Sequence, residues 1–570
     1  MIHLDTWKRR NGMQRVFVML ILLSSCLVAC SHKSNTNTAT NTSVKPPEGE
    51  QLFDGLGPHT RKITTSSPEA QRYFDQGLAF LFGFNHDEAI RSFRQAAVLD
   101  TSCAMAWWGV SIANGPHINN PMVDSTHAYA AFDALQAAKM RASSCTATEQ
   151  ALIHALESRY ANPQPADRHP LDEAYASAMR EVWHAHPDDA DVGALFAESM
   201  MDLRPWRLWT HGGKPEPGTE EIVQTLEQVM SQSPRHPLAN HLYIHAVEAS
   251  PHPEKADSSA NRLRDMEPGL GHMVHMPSHI DVRTGRWVEA QAANERAIEV
   301  DRAYREKSPN QGFYRVYMAH NHHMLSYAAI MQGEQAVALS AIHQMVNTIP
   351  PEFVQEAAPL VDGFMAMPLE IEMRFGLWDS VLTAPEFPDY LPLARLMRHF
   401  ARGTAYAAKG MLPEAKTEQA AFLNGQAAIA PEATFGNNTA QDLLKVAQHM
   451  LAGEILVRAG ENDKGVAELR LAVQAEDALV YDEPPDWILP VRHALGATLL
   501  KLGRAKEAEA VYREDLARLP GNGWSLFGLA RSLELQKKTA EAAEAKANFD
   551  KVWSRADIQL SSSCFCQPGV

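Results

Sequence analysis

The sequence predicts an all-α fold: an α-solenoid of stacked helix–turn–helix hairpins, superhelical, with a concave groove. Three observations carry this. From about residue 68 onward, Ala-rich amphipathic runs are broken by Pro and Gly. Val/Ile/Thr alternation, the mark of a half-buried strand, is scarce. A period of 34 residues recurs: the spacing Gly77, Ala89, Phe93 returns as Gly496, Ala508, Tyr512, and Ala530 and Ala542 follow one period later. Small residues let the two helices of a hairpin approach closely. A ring then fills the gap to the next hairpin, and a proline such as Pro520 ends the unit.

The N-terminus stands apart from the fold. Val16 to Val28 is a short, almost wholly apolar run behind Lys8, Arg9, Arg10 and Arg15, and it ends in Leu27-Val28-Ala29-Cys30. That tetrapeptide resembles the lipobox of bacterial lipoproteins. The resemblance implies a signal peptide over 1–29 and lipidation of Cys30. Ser31 in place of Asp implies an outer-membrane address facing the periplasm. Residues 30–50, rich in Ser, Thr, Asn and Pro, read as a flexible tether. An N-terminal helical array with irregular helices is expected over 51–235, including the polar loop His211 to Gly218. His-rich hairpins follow over 236–345, an irregular helical region over 346–440, C-terminal repeats over 441–560 and an irregular tail over 561–570.

Four stretches carry a wider resemblance: Gly83 to Phe93, Ala104 to Gly109, Gly271 to His279, and Pro484 to Pro490 leading into Asn522 to Gly528. They resemble the tetratricopeptide-repeat (TPR) family, and within it a group of exported bacterial proteins with no assigned activity. The resemblance spans most of residues 70–560. It implies TPR-like hairpins whose first helices line the groove, and a groove that binds a protein, a peptide or another ligand. It implies no chemistry.

Composition narrows the function. The 570 residues are 45% hydrophobic and 21% charged, ordinary for a globular chain, with a net charge of -16. Such a surface repels phosphate backbones, so no nucleic-acid partner is expected. Beyond the N-terminus no apolar run approaches the roughly 20 residues a bilayer span requires. Phosphate-loop, dinucleotide, His-Glu-x-x-His and Gly-x-Ser-x-Gly motifs are all missing. Cys103 opens one helix and Cys145 follows the next, at the same end of a hairpin, which makes them a candidate disulfide. Cys564 and Cys566 fall in the tail, where disorder, a soft-metal site and a disulfide are all open.

Histidine is the one residue type with an unusual distribution. Ten of the 25 lie between His236 and His323. With Pro237 at position 1 of a repeat, His241 and His245 fall at positions 5 and 9. The next unit, from Gly271, returns His275 and His279 to the same positions. By resemblance these positions face the groove, together with His272, Glu248 and Arg283. His320 and His323 reach it from the following helix. An i, i+4 pair puts two imidazoles on one helical face. Two pairs on adjacent helices would converge on one cavity, so His241, His245, His275 and His279 form a candidate site for one transition metal: Zn, Cu, Fe or Ni. Glu248 would be a ligand, a base for bound water, or the orienter of a ring. Pro277 is expected to bend its helix.

Two readings follow. One is a lipid-anchored scaffold binding a protein, peptide or ligand at the bacterial envelope. The other is a metalloprotein, a hydrolase or an oxidoreductase, built in the same groove. Trp107, Trp108, Trp206 and Trp209 read as packing, and Asp482-Glu483 as a solvated acidic loop.

Overall fold

The structure is a computed structural model that describes residues 51–567. The expected signal peptide, tether and lipidation site at Cys30 lie outside the described residues. Within them the chain is an all-α solenoid. Consecutive helices pack as antiparallel hairpins, from Pro68–Phe82 against His86–Leu99 to Gly523–Leu535 against Thr539–Val552. Strand structure among the described residues is one two-residue pairing, Thr434–Phe435 with Asn438–Thr439, plus isolated bridges. Among the described residues no helix is long and apolar enough to cross a membrane.

Local signals set the hairpins. Ser67 accepts from the Ala70 amide at the start of Pro68–Phe82, with Pro68 in the first turn. Asn85 does the same for Glu88 in the next helix. The period seen in the sequence has a packing cause. Phe93 is fully buried between Gly77 and Gly109, and a methyl group on either glycine would come within 2.6 Å of its ring atoms, closer than real contacts allow. Tyr512 is held the same way between Gly496 and Gly528. Each ring therefore bridges the first helix of its own hairpin and the first helix of the next, and only glycine leaves room for it.

Two hydrophobic cores result, one running from Ile63 to Met318 and the other from Val282 to Cys566. They meet at the His-rich hairpins. In the first core, Arg159 is buried, donates to Asp202 at 2.6 Å and to the Pro116 carbonyl at 2.8 Å, and lies over the Tyr175 ring.

Two cysteine expectations are corrected. Cys103 and Cys145 are free and buried. Burial, then Glu149 and then Cys103, pushes the Cys145 thiol up to about 11, so it stays protonated beside its neighbour. The disulfide among the described residues is instead Cys564–Cys566. The described part of the tail is also ordered. Ser563 pairs with the Tyr512 hydroxyl at 2.6 Å and donates to the His493 carbonyl at 2.9 Å. Arg374 donates to the Ser563 carbonyl and Arg458 to the Cys566 carbonyl, while Gln567 donates to Glu454 at 2.6 Å. The C-terminal repeats thus hold a segment of their own chain.

Candidate metal centre

His236 caps the helix Pro237–Val247, its Nδ1 accepting from the Ala239 amide, and Pro237 sits in the first turn. His241 and His245 then share one face. The next first helix is divided into Gly271–His275 and Pro277–Arg283, because Pro277 has no amide to donate. The expected bend does not separate the two histidines. Met276 stays right-handed helical at φ -50° and ψ -36°, and the Nε2 atoms of His275 and His279 lie 2.8 Å apart.

The four histidines expected as one set fall into two. His241, His245 and His272 each place a ring nitrogen within 4.8 Å of the others, and so do His275, His279 and His320. Each i, i+4 pair gains a third ring from an adjacent helix. Glu248 joins the sets: Oε1 accepts from His245 Nδ1 at 2.8 Å and Oε2 from His279 Nδ1 at 2.6 Å. Arg283 is a support and not a wall residue, since its Nε donates to the Glu248 carbonyl at 3.0 Å. His323 belongs to neither set and packs edge-on to Phe364. Nor is the site an open concave groove: His241, His272, His275 and His279 are all at most 1% exposed.

The partners of these rings define their tautomers. His241 Nδ1 faces the Phe82 carbonyl at 2.8 Å. His275 Nδ1 faces Asn294 Oδ1 at 2.7 Å, an oxygen fixed there because Asn294 Nδ2 donates to the Ala290 carbonyl. A carbonyl or carboxylate oxygen only accepts, so the proton sits on Nδ1 and the Nε2 lone pair is free. In neutral His275 and His279 two such lone pairs would face each other at 2.8 Å. Burial disfavours a charge on His279, but Glu248 outweighs it and raises this ring, so without a metal its Nε2 holds the proton between them. Only a cation in that gap, a proton or a metal, makes the contact favourable. His241 and His272 bring their Nε2 atoms to 3.1 Å, and His245 Nε2 has no partner.

Burial, reinforced by neighbouring rings, holds His241, His272, His275 and His320 well below the usual imidazole range. They are neutral, the state in which imidazole ligates. Burial opposes ionisation of Glu248, but the His279 and His245 rings outweigh it and hold its carboxyl at about 2.

A cavity of about 470 Å³ opens on the centre between the two cores. His245, His272, His279 and His320 form part of its lining. Trp206, read from sequence as packing, lines it too, edge-on to His245 and with a left-handed backbone at φ 63°. Glu483, read as part of a solvated loop, is 3% exposed and lines the cavity beside Asp482, Gly436 and Asn437. The loop is buried because it is locked to the Thr434–Thr439 turn. Asn438 donates to Asp486 at 2.7 Å and accepts from the Val480 amide at 2.7 Å.

A third grouping, His59, Asp191 and His236, is a different kind of site. Asp191 accepts from both rings at 2.9 Å and also from Arg61. A guanidinium already supplies the cation there, so the cluster reads as a structural ion network.

Fold and site together define a helical-repeat protein with a histidine-rich interior. No protein-family model matches the chain, and no curated protein matches its sequence. Among solved structures it is similar to the human IFIT1 dimer with m7Gppp-AAAA, at 11% identity and TM-score 0.32, over 86% of this chain and 91% of that one. It is similar to the APC/C hetero-tetramer Cut9-Hcn1, at 11% identity and TM-score 0.28, over 86% and 74%. The P58(IPK) TPR domain gives 11% identity and TM-score 0.18, over 85% and 92%. At these values the likenesses add nothing to the reading of the site, which rests on its own side chains.

Proposed function

We propose that the chain is a metalloprotein in which the two three-histidine sets hold transition-metal ions, Zn, Cu, Fe or Ni, at one side of the cavity. The observation that carries this is the set of oxygen partners. Four of the six rings are fixed at Nδ1 by Phe82, Glu248 or Asn294, which aims Nε2 inward. Metal-bound histidines are typically oriented in this way. Three protein ligands with a remaining position open are the pattern of catalytic centres, and the cavity supplies the space for a small molecule at that position. An enclosed interior suits such a molecule better than an extended peptide. Protein purified without a His tag and reconstituted with Zn or Cu should retain about two ions per chain after dialysis. Retention of none, measured by mass spectrometry of the elements, would reject the reading.

The scaffold is read as exported and lipid-anchored, facing the periplasm from the outer membrane. This rests on Leu27-Val28-Ala29-Cys30 and the polar tether behind it. In a bacterial host, Cys30→Ala should lose lipid labelling and accumulate as precursor. Normal processing of that variant would refute the anchor.

A further inference from the structure

We infer that the cavity takes a small molecule with an uncharged hydroxyl head on an apolar body, a phenol or an alcohol, with the head placed beside the histidine sets. The inference deepens the metalloprotein reading and rests on it for the role of the head group.

The cavity lining includes a set of apolar side chains, Met318, Met345, Ile349, Phe353, Val361 and Phe364. At about 470 Å³ the space falls within the range of small-molecule sites. Among the polar side-chain atoms on the lining that lack partners are Glu483 Oε1 and His323 Nε2. Both residues are 3% exposed, and a buried polar atom without a partner is costly. The other Glu483 oxygen is taken by the Tyr481 hydroxyl at 2.9 Å. Burial raises the Glu483 carboxyl to about 7, so Oε1 is an open acceptor when ionised and can carry the proton when neutral. A hydroxyl, which both donates and accepts, meets either form while its apolar body fills the cavity.

Charge selects against an anionic head. Asp482 and Glu483 line the cavity, and Glu248 acts on both through space. Burial pushes Asp482 up to about 6 and Glu483 up to about 7, with Arg283 and His279 opposing the rise in Glu483. Above about pH 7 a carboxylate or phosphate placed there would therefore meet two ionised carboxylates on the lining. The arginines of the lining, Arg305 and Arg315, are exposed and half-buried, so solvent screens them.

The test uses 4-propylphenol, 4-propylbenzoate and propylbenzene, titrated by calorimetry above about pH 7 into metal-loaded and metal-free protein. In the metal-loaded protein the phenol should bind at least about tenfold more tightly than either comparator, the size of a hydrogen bond to a buried charged acceptor. Glu483→Leu should remove that preference while hydrocarbon binding persists. Met345→Trp should fill the cavity and abolish binding of all three with metal content unchanged, and circular dichroism checks that both variants fold. Benzoate binding as tightly as phenol, or no binding to correctly metal-loaded protein, overturns the inference. A chain that takes up no metal but still prefers the phenol overturns the metal reading alone and supports the cavity assignment.

Discussion

Replacing Glu248 with Ala is expected to weaken both metal sets at once, although Glu248 is assigned as a ligand to neither. Its two oxygens hold His245 in one set and His279 in the other, at 2.8 and 2.6 Å. Without them each ring can rotate or shift its proton to Nε2, and the ligand lone pair is lost. Removing one such orienting partner typically costs 10- to 100-fold in metal affinity, and here the loss should appear at both sites. Glu248→Gln separates this from general damage. Its amide oxygen still accepts from one Nδ1–H, but its NH₂ group only donates and cannot serve the other ring. That variant should retain about one ion where the wild type retains two, when dialysed against a competing chelator. Wild-type affinity and stoichiometry in Glu248→Ala would remove Glu248 from the centre.

The largest loss of stability should come from the rings between glycines. Phe93 is 0% exposed, and truncating such a ring to Ala typically costs about 3–5 kcal/mol. The complementary change, Gly109→Ala or Gly528→Ala, drives a methyl against the ring atoms of Phe93 or Tyr512 and should cost on the order of 1–3 kcal/mol or more. Gly503 is the control. A side chain there meets nothing within 4 Å, although its φ of 72° keeps Ala mildly unfavourable. Urea midpoints of the variants measure the difference. Gly528→Ala as stable as Gly503→Ala would show that the close approach is not needed.

The repeat register was legible because it is local. Positions 5 and 9 of a first helix fix which face carries His241, His245, His275 and His279, and the structure keeps all four on the inner side. How the rings group was not legible. A period along the chain does not give the lateral offset between packed helices, and that offset pairs His241 with His272 across helices and His275 with His279 within one. Glu483 was read as solvated because an acidic pair in a Pro-containing loop usually is. Its burial depends on Asn438 locking the loop from a distant turn, a tertiary contact with no local signature. Trp206 could not be assigned because its direction follows from a backbone conformation that non-glycine residues seldom adopt.

The ordered tail bears on how the molecule is made. A solenoid can in principle fold behind the ribosome one hairpin at a time, each new unit docking on the last. Here that order is incomplete. The histidines of the cavity lining emerge by residue 323, yet the loop carrying Glu483 arrives much later, and the carbonyls and amide that meet Arg374, Arg458 and Glu454 come from residues 563–567. Until those residues leave the exit tunnel, these three charged side chains lack the tail partners they have in the finished fold. A chain cut before Ser563 therefore carries a recognisable defect at the C-terminal repeats. Closure of those repeats waits on residues 563–567, the first of them 189 positions after Arg374.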